Sequence, residues 1–387
     1  MSIDNPRWWP RLLPLLAATV AVGTDAWVVA GFLPALAGDM AVSTATAGLS
    51  VTVFAVAYAV AAPVLAALTS AVRPRRVIAV ALVVLAAANV LCAVSTGFGL
   101  FLAGRVLAAL AASIVTPAAG VLAARVAGER HRGRALALVI SGLTVATAVG
   151  VPLGSVLATI TSWRAALLGV AVLAGGAALV IHRTAPDPPA GARQRIVERL
   201  APLRRPRVVA ILALTVLGMT AAYVPYAYAS TLLPGGGHGW LVGVLTAYGV
   251  GAVCGSLASG HLTDLLGSGR TLAVAYVVMA LSFAVLASHP SAILVVAAAA
   301  LWGTASWMQT PPQQHRLLAA APGSGPVTIG SNASALYAGI ALGNALGGIL
   351  LSAGRTPLCL AAAAAALAAL LWNLGLSFRL RPAAAGR

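Results

Sequence analysis

Residues 73–105 read RPRRVIAVALVVLAAANVLCAVSTGFGLFLAGR. Three arginines, Arg73, Arg75 and Arg76, are followed by an uncharged apolar run from Val77 to Ser95. Only Ser95-Thr96-Gly97-Phe98 then intervenes before a second apolar run opens. A chain that crosses a bilayer as a helix needs roughly 20 apolar residues in succession. Two such runs joined by four residues read as two consecutive spans of a membrane protein, with a basic stretch marking one membrane face.

The rest of the chain repeats this pattern. Of 387 residues, 60% are hydrophobic and 8% are charged, whereas a soluble domain carries roughly 25% charged residues. Too little charge is present to cover a globule of this size, so most of its outside must face lipid. The 40 glycines and 22 prolines fall largely inside apolar runs, where membrane helices tolerate them. Dividing the chain at charges and turn residues gives twelve spans, near 12–36, 47–70, 77–95, 99–124, 135–159, 165–182, 208–232, 240–262, 271–288, 291–314, 327–353 and 358–378. The expected fold is all-α. Trp8 and Trp9, between Arg7 and Arg11, read as an interfacial anchor rather than part of a cleaved signal.

The arginines set the expected orientation. All 24 basic residues are arginine. With the N-terminus placed in the cytoplasm, 21 of the 24 lie in cytoplasmic segments, Arg164 and Arg355 lie on the opposite side, and Arg105 lies within a span. Cytoplasmic loops of membrane proteins carry such an excess. The +17 net charge is then a membrane-face charge beside anionic headgroups, and no nucleic-acid partner is implied. Both termini are expected in the cytoplasm, and the cytoplasmic membrane of a bacterium is the expected location.

The longest polar segment, residues 183–207, begins with Thr184-Ala185-Pro186-Asp187-Pro188-Pro189-Ala190 and continues through a basic stretch from Arg193 to Leu200. It reads as a cytoplasmic linker on the membrane surface between six-span bundles at 1–182 and 208–387. The halves echo one another. Ala66-Ala67-Leu68-Thr69-Ser70 leads into Arg73, Arg75 and Arg76 after span 2, and Gly260-His261-Leu262-Thr263-Asp264 leads through Gly267 to Arg270 after span 8. Internal repeats with a site at their interface are a common transporter plan.

Several of these stretches resemble the major facilitator superfamily, and within it the 12-helix drug/proton antiporters of the arabinose-efflux-permease and chloramphenicol-efflux type. Gly31-Phe32-Leu33-Pro34 closes span 1. The family's G-x-L-x-D-x-x-G-R loop is kept as Gly260, Leu262, Asp264, Gly267 and Arg270, while the first half has Ala66 and Ser70 in place of Gly and Asp. Span 4 carries Gly104-Arg105-Val106-Leu107-Ala108-Ala109, and span 5 carries Gly142 and Gly150-Val151-Pro152-Leu153-Gly154. Gln313-Gln314-His315-Arg316-Leu317 and Ser331-Asn332-Ala333-Ser334 also look familiar. The resemblance implies two six-helix bundles related by pseudo-twofold symmetry, with an alternating-access cavity between them. It also implies a proton gradient as energy source, no cofactor, and a monomer. The loss of the loop acid in the first half shifts expected gating contacts toward Asp264.

The chain has seven acids, and only Asp25 lies deep in a span, 13 residues after residue 12, or roughly 20 Å at 1.5 Å per residue. A charge at that depth costs at least ~2.5 kcal/mol, so the site favours a group that can take up and release a proton. The alternative is a packing acid satisfied by hydroxyls such as that of Thr24. Arg105 is the one cation inside a span. It is expected either to pair with Asp25 in proton coupling or to tie to backbone carbonyls of span 1; in the family this arginine has a part in coupling.

The small residues of span 5, Gly142, Gly150 and Gly154 with Pro152, point to close helix packing, expected against the opposite half. Gly339, Gly343 and Gly347 in span 11 form a second such face. Cargo is expected in a mostly apolar cavity with a few polar anchors. Candidates are Trp27 and Tyr58 in the first half and Tyr223, Tyr226, Tyr228, Tyr248, Trp302, Trp307, Gln309, Asn332, Tyr337 and Asn344 in the second. Each aromatic has packing or lipid contact as its alternative, and each asparagine an inter-helix hydrogen bond. Cys92, Cys254 and Cys359 lie far apart in apolar stretches and read as buried small hydrophobes. No metal spacing, nucleotide loop or paired intramembrane carboxylates occur, which excludes the usual enzyme classes. The expectation is proton-coupled export of a small amphipathic or hydrophobic compound. A sugar or metabolite carrier of the same fold, or a membrane sensor or assembly factor, stand as alternatives.

Overall fold

The computed structural model describes residues 9–189, 204–232, 238–321 and 325–379. Among them, twelve helices are long and apolar enough to cross a membrane. They are α1 (Trp9–Gly31), α2 (Thr44–Leu68), α3 (Pro74–Val94), α4 (Phe98–Gly128), α5 (Arg134–Ile160), α6 (Trp163–Thr184), α7 (Pro206–Tyr228), α8 (Gly239–Leu266), α9 (Ser268–Ala287), α10 (Ala292–Ala320), α11 (Val327–Ala353) and α12 (Arg355–Ser377). Every one coincides with an expected span, most ends to within four residues; α1 stops five residues short of its expected end and α10 runs six residues past its own. The chain divides into two compact units, Met1–Arg199 and Leu200–Arg387. The basic stretch expected from Arg193 to Leu200 lies outside the described residues.

The early end of α1 has a local cause. Its α-helical part stops at Trp27, Val28–Gly31 tighten into a 3₁₀ turn, and Phe32 leaves helical geometry at φ −134°, ψ 19°. Pro34 then sits in the first turn of a separate short helix, Leu33–Asp39, a position where its missing N–H costs nothing. The motif Gly31-Phe32-Leu33-Pro34 is therefore a corner. Close by, Asp39 accepts from Trp163 Nε1 at 3.1 Å and pairs with Arg164.

The two units are built alike. In the first, α1 packs on α5, α3 on α6 and α2 on α4; in the second, α7 packs on α11, α9 on α12 and α8 on α10. Glycine stripes make the first of these seams in each unit. A methyl group at Gly142 would collide with Thr19, at Gly150 with Thr24, and at Gly154 with Val28. These glycines meet α1 of their own unit, which corrects the expectation that they face the other half. Spacing defines a small-residue stripe but not the helix that covers it. Gly339, Gly343 and Gly347 of α11 lie equally close to α7, against Val216, Thr220 and Val224. Just before Pro152, residues Ala146–Gly150 widen into a π turn, the local unwinding expected where a proline cannot donate.

The repeat is imperfect at its turns. Between α8 and α9 the chain reverses on Gly267, at φ 79°, a left-handed conformation that glycine adopts without penalty. Gly260 to Leu266 are still helical, so the expected loop motif is mostly the end of α8. In the first unit α2 ends at Leu68, and Arg73 in extended geometry precedes Pro74, which opens α3.

Candidate functional site

Four helices of the first unit converge on one buried charge pair. Asp25 comes from the last α-helical turn of α1 and Arg105 from the second turn of α4; both are wholly buried. Arg105 Nη1 donates to Asp25 Oδ1 at 2.8 Å, and Nη2 donates to the Asp25 carbonyl at 3.1 Å. The carboxylate pairing and the backbone tie, alternatives in the sequence, are both made. With α1 ending at Gly31, Asp25 lies six residues from that end and Arg105 seven from the start of α4. Both are therefore roughly 10 Å deep at 1.5 Å per residue. The expected depth of roughly 20 Å was counted from the other end of the span, at residue 12.

The pair is held by neighbours that sequence reading did not single out. The Phe54 ring of α2 lies 4.4 Å from the Arg105 guanidinium carbon, a cation–π contact strengthened by the absence of water. Asn89 of α3 stands beside the carboxylate, and its amide nitrogen donates to the Leu85 carbonyl at 3.0 Å. Gly104 admits α3 so closely that a methyl there would strike Cys92 Sγ, and the Ala88 carbonyl lies 3.3 Å from that position. This seats α4 on α3 and delivers the next residue, Arg105, to Asp25. Asn89, the lone side-chain amide of its span, was the available signal. Three polar atoms of this group have no hydrogen bond, Asp25 Oδ2, Arg105 Nε and Asn89 Oδ1. The carboxylate thus keeps one oxygen held and one open.

The candidate cargo residues separate into different environments. Tyr223, Tyr226, Tyr248 and Trp302 form one buried aromatic cluster, with Tyr226 and Tyr248 centroids 5.0 Å apart, Tyr248 and Trp302 4.8 Å apart, and Phe283 against Trp302. Trp302 Nε1 donates to the Ala222 carbonyl at 2.9 Å, which ties α10 to α7. Asn332 accepts from Thr215 Oγ1 at 2.9 Å, the inter-helix bond that was its alternative. Asn344 is fully buried with neither amide atom paired, while its backbone carbonyl accepts from Tyr228. Gln309 sits where α10 breaks ahead of Pro311 and Pro312; it donates to the Ser306 carbonyl at 3.0 Å and accepts from Tyr276. Trp27, Tyr58, Trp307 and Tyr337 are buried in their units.

At the turns, Arg73 and Arg75 both pair with Asp187, at 3.0 and 3.2 Å, and Arg76 is exposed. Asp187 supplies the carboxylate that position 70 lacks. Asp264 and Arg270 are exposed and form no ion pair among the described residues. Cys92 and Cys359 are buried as expected, but Cys254 of α8 is exposed, because an apolar stretch does not by itself say which of its residues the neighbouring helices cover. Among the described residues no group of histidine, cysteine and carboxylate side chains is placed to hold a metal.

Helices that keep charge at their ends and admit a single carboxylate, already paired, to their interior have the build of a multi-pass membrane transporter. The Major Facilitator Superfamily pattern matches residues 15–322, and the chain belongs to that family. It is accordingly a transporter and not an enzyme. It is 31% identical over 344 residues to the uncharacterized MFS-type transporter YbcL of Bacillus subtilis (strain 168), covering 88% of each chain. It is 34% identical over 298 residues to a chloramphenicol resistance protein of Streptomyces lividans, covering 74% of this chain and 76% of that one. The fold matches a partially occluded, inward-open conformation of the xylose transporter XylE from E. coli with a TM-score of 0.77 at 13% identity, covering 99% of this chain and 100% of that one.

Proposed function

We propose that this transporter exports small amphipathic or hydrophobic compounds in exchange for protons, with Asp25 as the proton-carrying group. The observation that carries this reading is the asymmetry of the Asp25 carboxyl. Oδ1 is fixed by Arg105, and Oδ2 is buried without a partner. A proton arriving on Oδ2 removes the charge that holds Arg105, so the α1–α4 tie weakens. Loss of the proton restores it. Each proton cycle therefore switches one inter-helix contact, the local event an alternating-access carrier needs. The proton gradient supplies the energy. The resistance relative in Streptomyces lividans supports an antibiotic-like cargo, and the aromatic surroundings of Tyr226, Tyr248 and Trp302 suit an apolar one. The arginine distribution supports cytoplasmic termini in a bacterial cytoplasmic membrane.

The test is a susceptibility panel, chloramphenicol included, in an efflux-deficient bacterium expressing wild type or Asp25→Asn at matched membrane levels. Resistance with wild type that disappears in the variant is the expected result. Resistance that survives in Asp25→Asn keeps export and removes Asp25 as the coupling acid. No resistance to any compound sinks the drug-export reading. Orientation is checked separately by thiol labelling at Ser43→Cys and Ser268→Cys, expected from outside and inside respectively.

A further inference from the structure

The second unit holds a buried cation without a carboxylate. Arg316, expected as a cytoplasmic loop residue, lies in the helical turn Thr310–Ala320 that extends α10 and is 8% exposed. The only acid between residues 200 and 387 is Asp264, which is exposed and pairs with nothing among the described residues. Arg316 Nη2 donates to Ser377 Oγ of α12 at 2.9 Å, and Nη1 is buried with no partner. A guanidinium is never neutral in a protein, and its uncompensated burial is costly.

What the guanidinium lies against is a second positive element. The ideal Cβ position at Gly269 is 3.1 Å from Arg316 Nη2, so the arginine touches the first turn of α9, a helix of 20 residues. The residue before that turn is Gly267, and no side chain caps the helix. The first amides of a helix have no partner inside it, and its N-terminus carries roughly half a positive charge. A guanidinium packed beside that end adds its charge to the same positive field, which an anion within reach of both would offset. Alongside, Ser268 Oγ is 3.0 Å from His315 Nδ1, giving a hydroxyl and an imidazole at the same corner. Asn373 occupies the Gly269 carbonyl at 2.9 Å, which keeps that acceptor from competing for the arginine.

We propose that the uncapped first turn of α9 and Arg316 together bind a phosphoryl-type oxyanion. A tetrahedral oxyanion presents several oxygens, enough to accept from Arg316 Nη1, from Ser268 Oγ and from first-turn amides at once. Such a group comes either from an anionic phospholipid headgroup or from free phosphate. The site does not depend on proton coupling at Asp25 or on the nature of the cargo.

The experiment uses the full chain in a neutral detergent and follows its thermal unfolding with four additives: phosphatidylglycerol, phosphatidylcholine, inorganic phosphate, and chloride at matched ionic strength. A site held at about a hundred times its Kd raises the midpoint by about 3 °C. The expected result is a rise with phosphatidylglycerol or with inorganic phosphate, none with phosphatidylcholine or chloride, and loss of the rise in Arg316→Gln. A rise with the lipid alone assigns a headgroup; a rise with inorganic phosphate assigns the free ion. No rise with either phosphoryl probe overturns the proposal, as does an equal rise in Arg316→Gln. If that variant does not fold, Gly269→Ala decides, because its added methyl enters the gap between Ser377 and the guanidinium. It is expected to lose the rise, and an undiminished rise in it overturns the site.

Discussion

Arg105 grips Asp25 twice, through the carboxylate at 2.8 Å and through the Asp25 backbone carbonyl at 3.1 Å. The second bond survives any change in the charge of the carboxyl group. The contact therefore has a part that titration can switch and a part that it cannot, and α4 stays tethered to α1 when the carboxylate is neutral.

Removing one member of this pair leaves the other charge buried alone. Arg105→Gln is expected to destabilise the protein by about 3–5 kcal/mol. Asp25→Asn is expected to cost less, because the carbonyl bond remains. The double variant should lose at least about 1 kcal/mol less than the sum of the two. Chemical denaturation of the four purified proteins in detergent measures this, and strict additivity would show that the pair is not an energetic unit.

The seam between α1 and α5 gives a steric prediction. Gly150→Ala places a methyl on Thr24 and should lower stability by about 1–3 kcal/mol. Thr24→Ala in the same chain removes the atoms struck and should recover most of the loss. Failure of the second change to help would mean that the clash is relieved elsewhere.

Gly267 tests the turn between α8 and α9. At φ 79° a side chain is strained, so Gly267→Ala should cost about 1–2 kcal/mol, and Gly267→Asn less than Gly267→Val. Unfolding midpoints of the three variants check the order.

The Asp187 clamp on Arg73 and Arg75 should matter little to stability. Arg73 is half exposed, and pairs of this kind are worth about 0–1 kcal/mol. Asp187→Asn is expected to shift the unfolding free energy by less than about 1 kcal/mol, and the difference should shrink further in high salt.

The spans were legible because apolar length alone decides them, and Asp25 because no other acid is remote from a polar segment. The corner at Phe32 was not, since glycine and proline, as at Gly31 and Pro34, also occur inside membrane helices. Asp187 looked like an ordinary linker acid because its partners are more than a hundred residues away. Arg316 looked exposed because it sits in the polar run Gln313-Gln314-His315-Arg316, and only the packing of α9, α10 and α12 shows that this run turns inward. Asn332, a cargo candidate in the sequence, makes the inter-helix bond that was its alternative, and its partner, Thr215, could be known only from the fold.

The glycine stripes also constrain how this sequence can drift. Where Gly150 meets Thr24 and Gly154 meets Val28, neither partner has a neutral neighbour in sequence space that is larger. A lineage that enlarges residue 150 must first shrink residue 24, and the same order of events holds for residues 154 and 28. Paired, sequential replacements between α1 and α5, with the smaller residue arriving first, are the historical trace this seam should leave among its relatives.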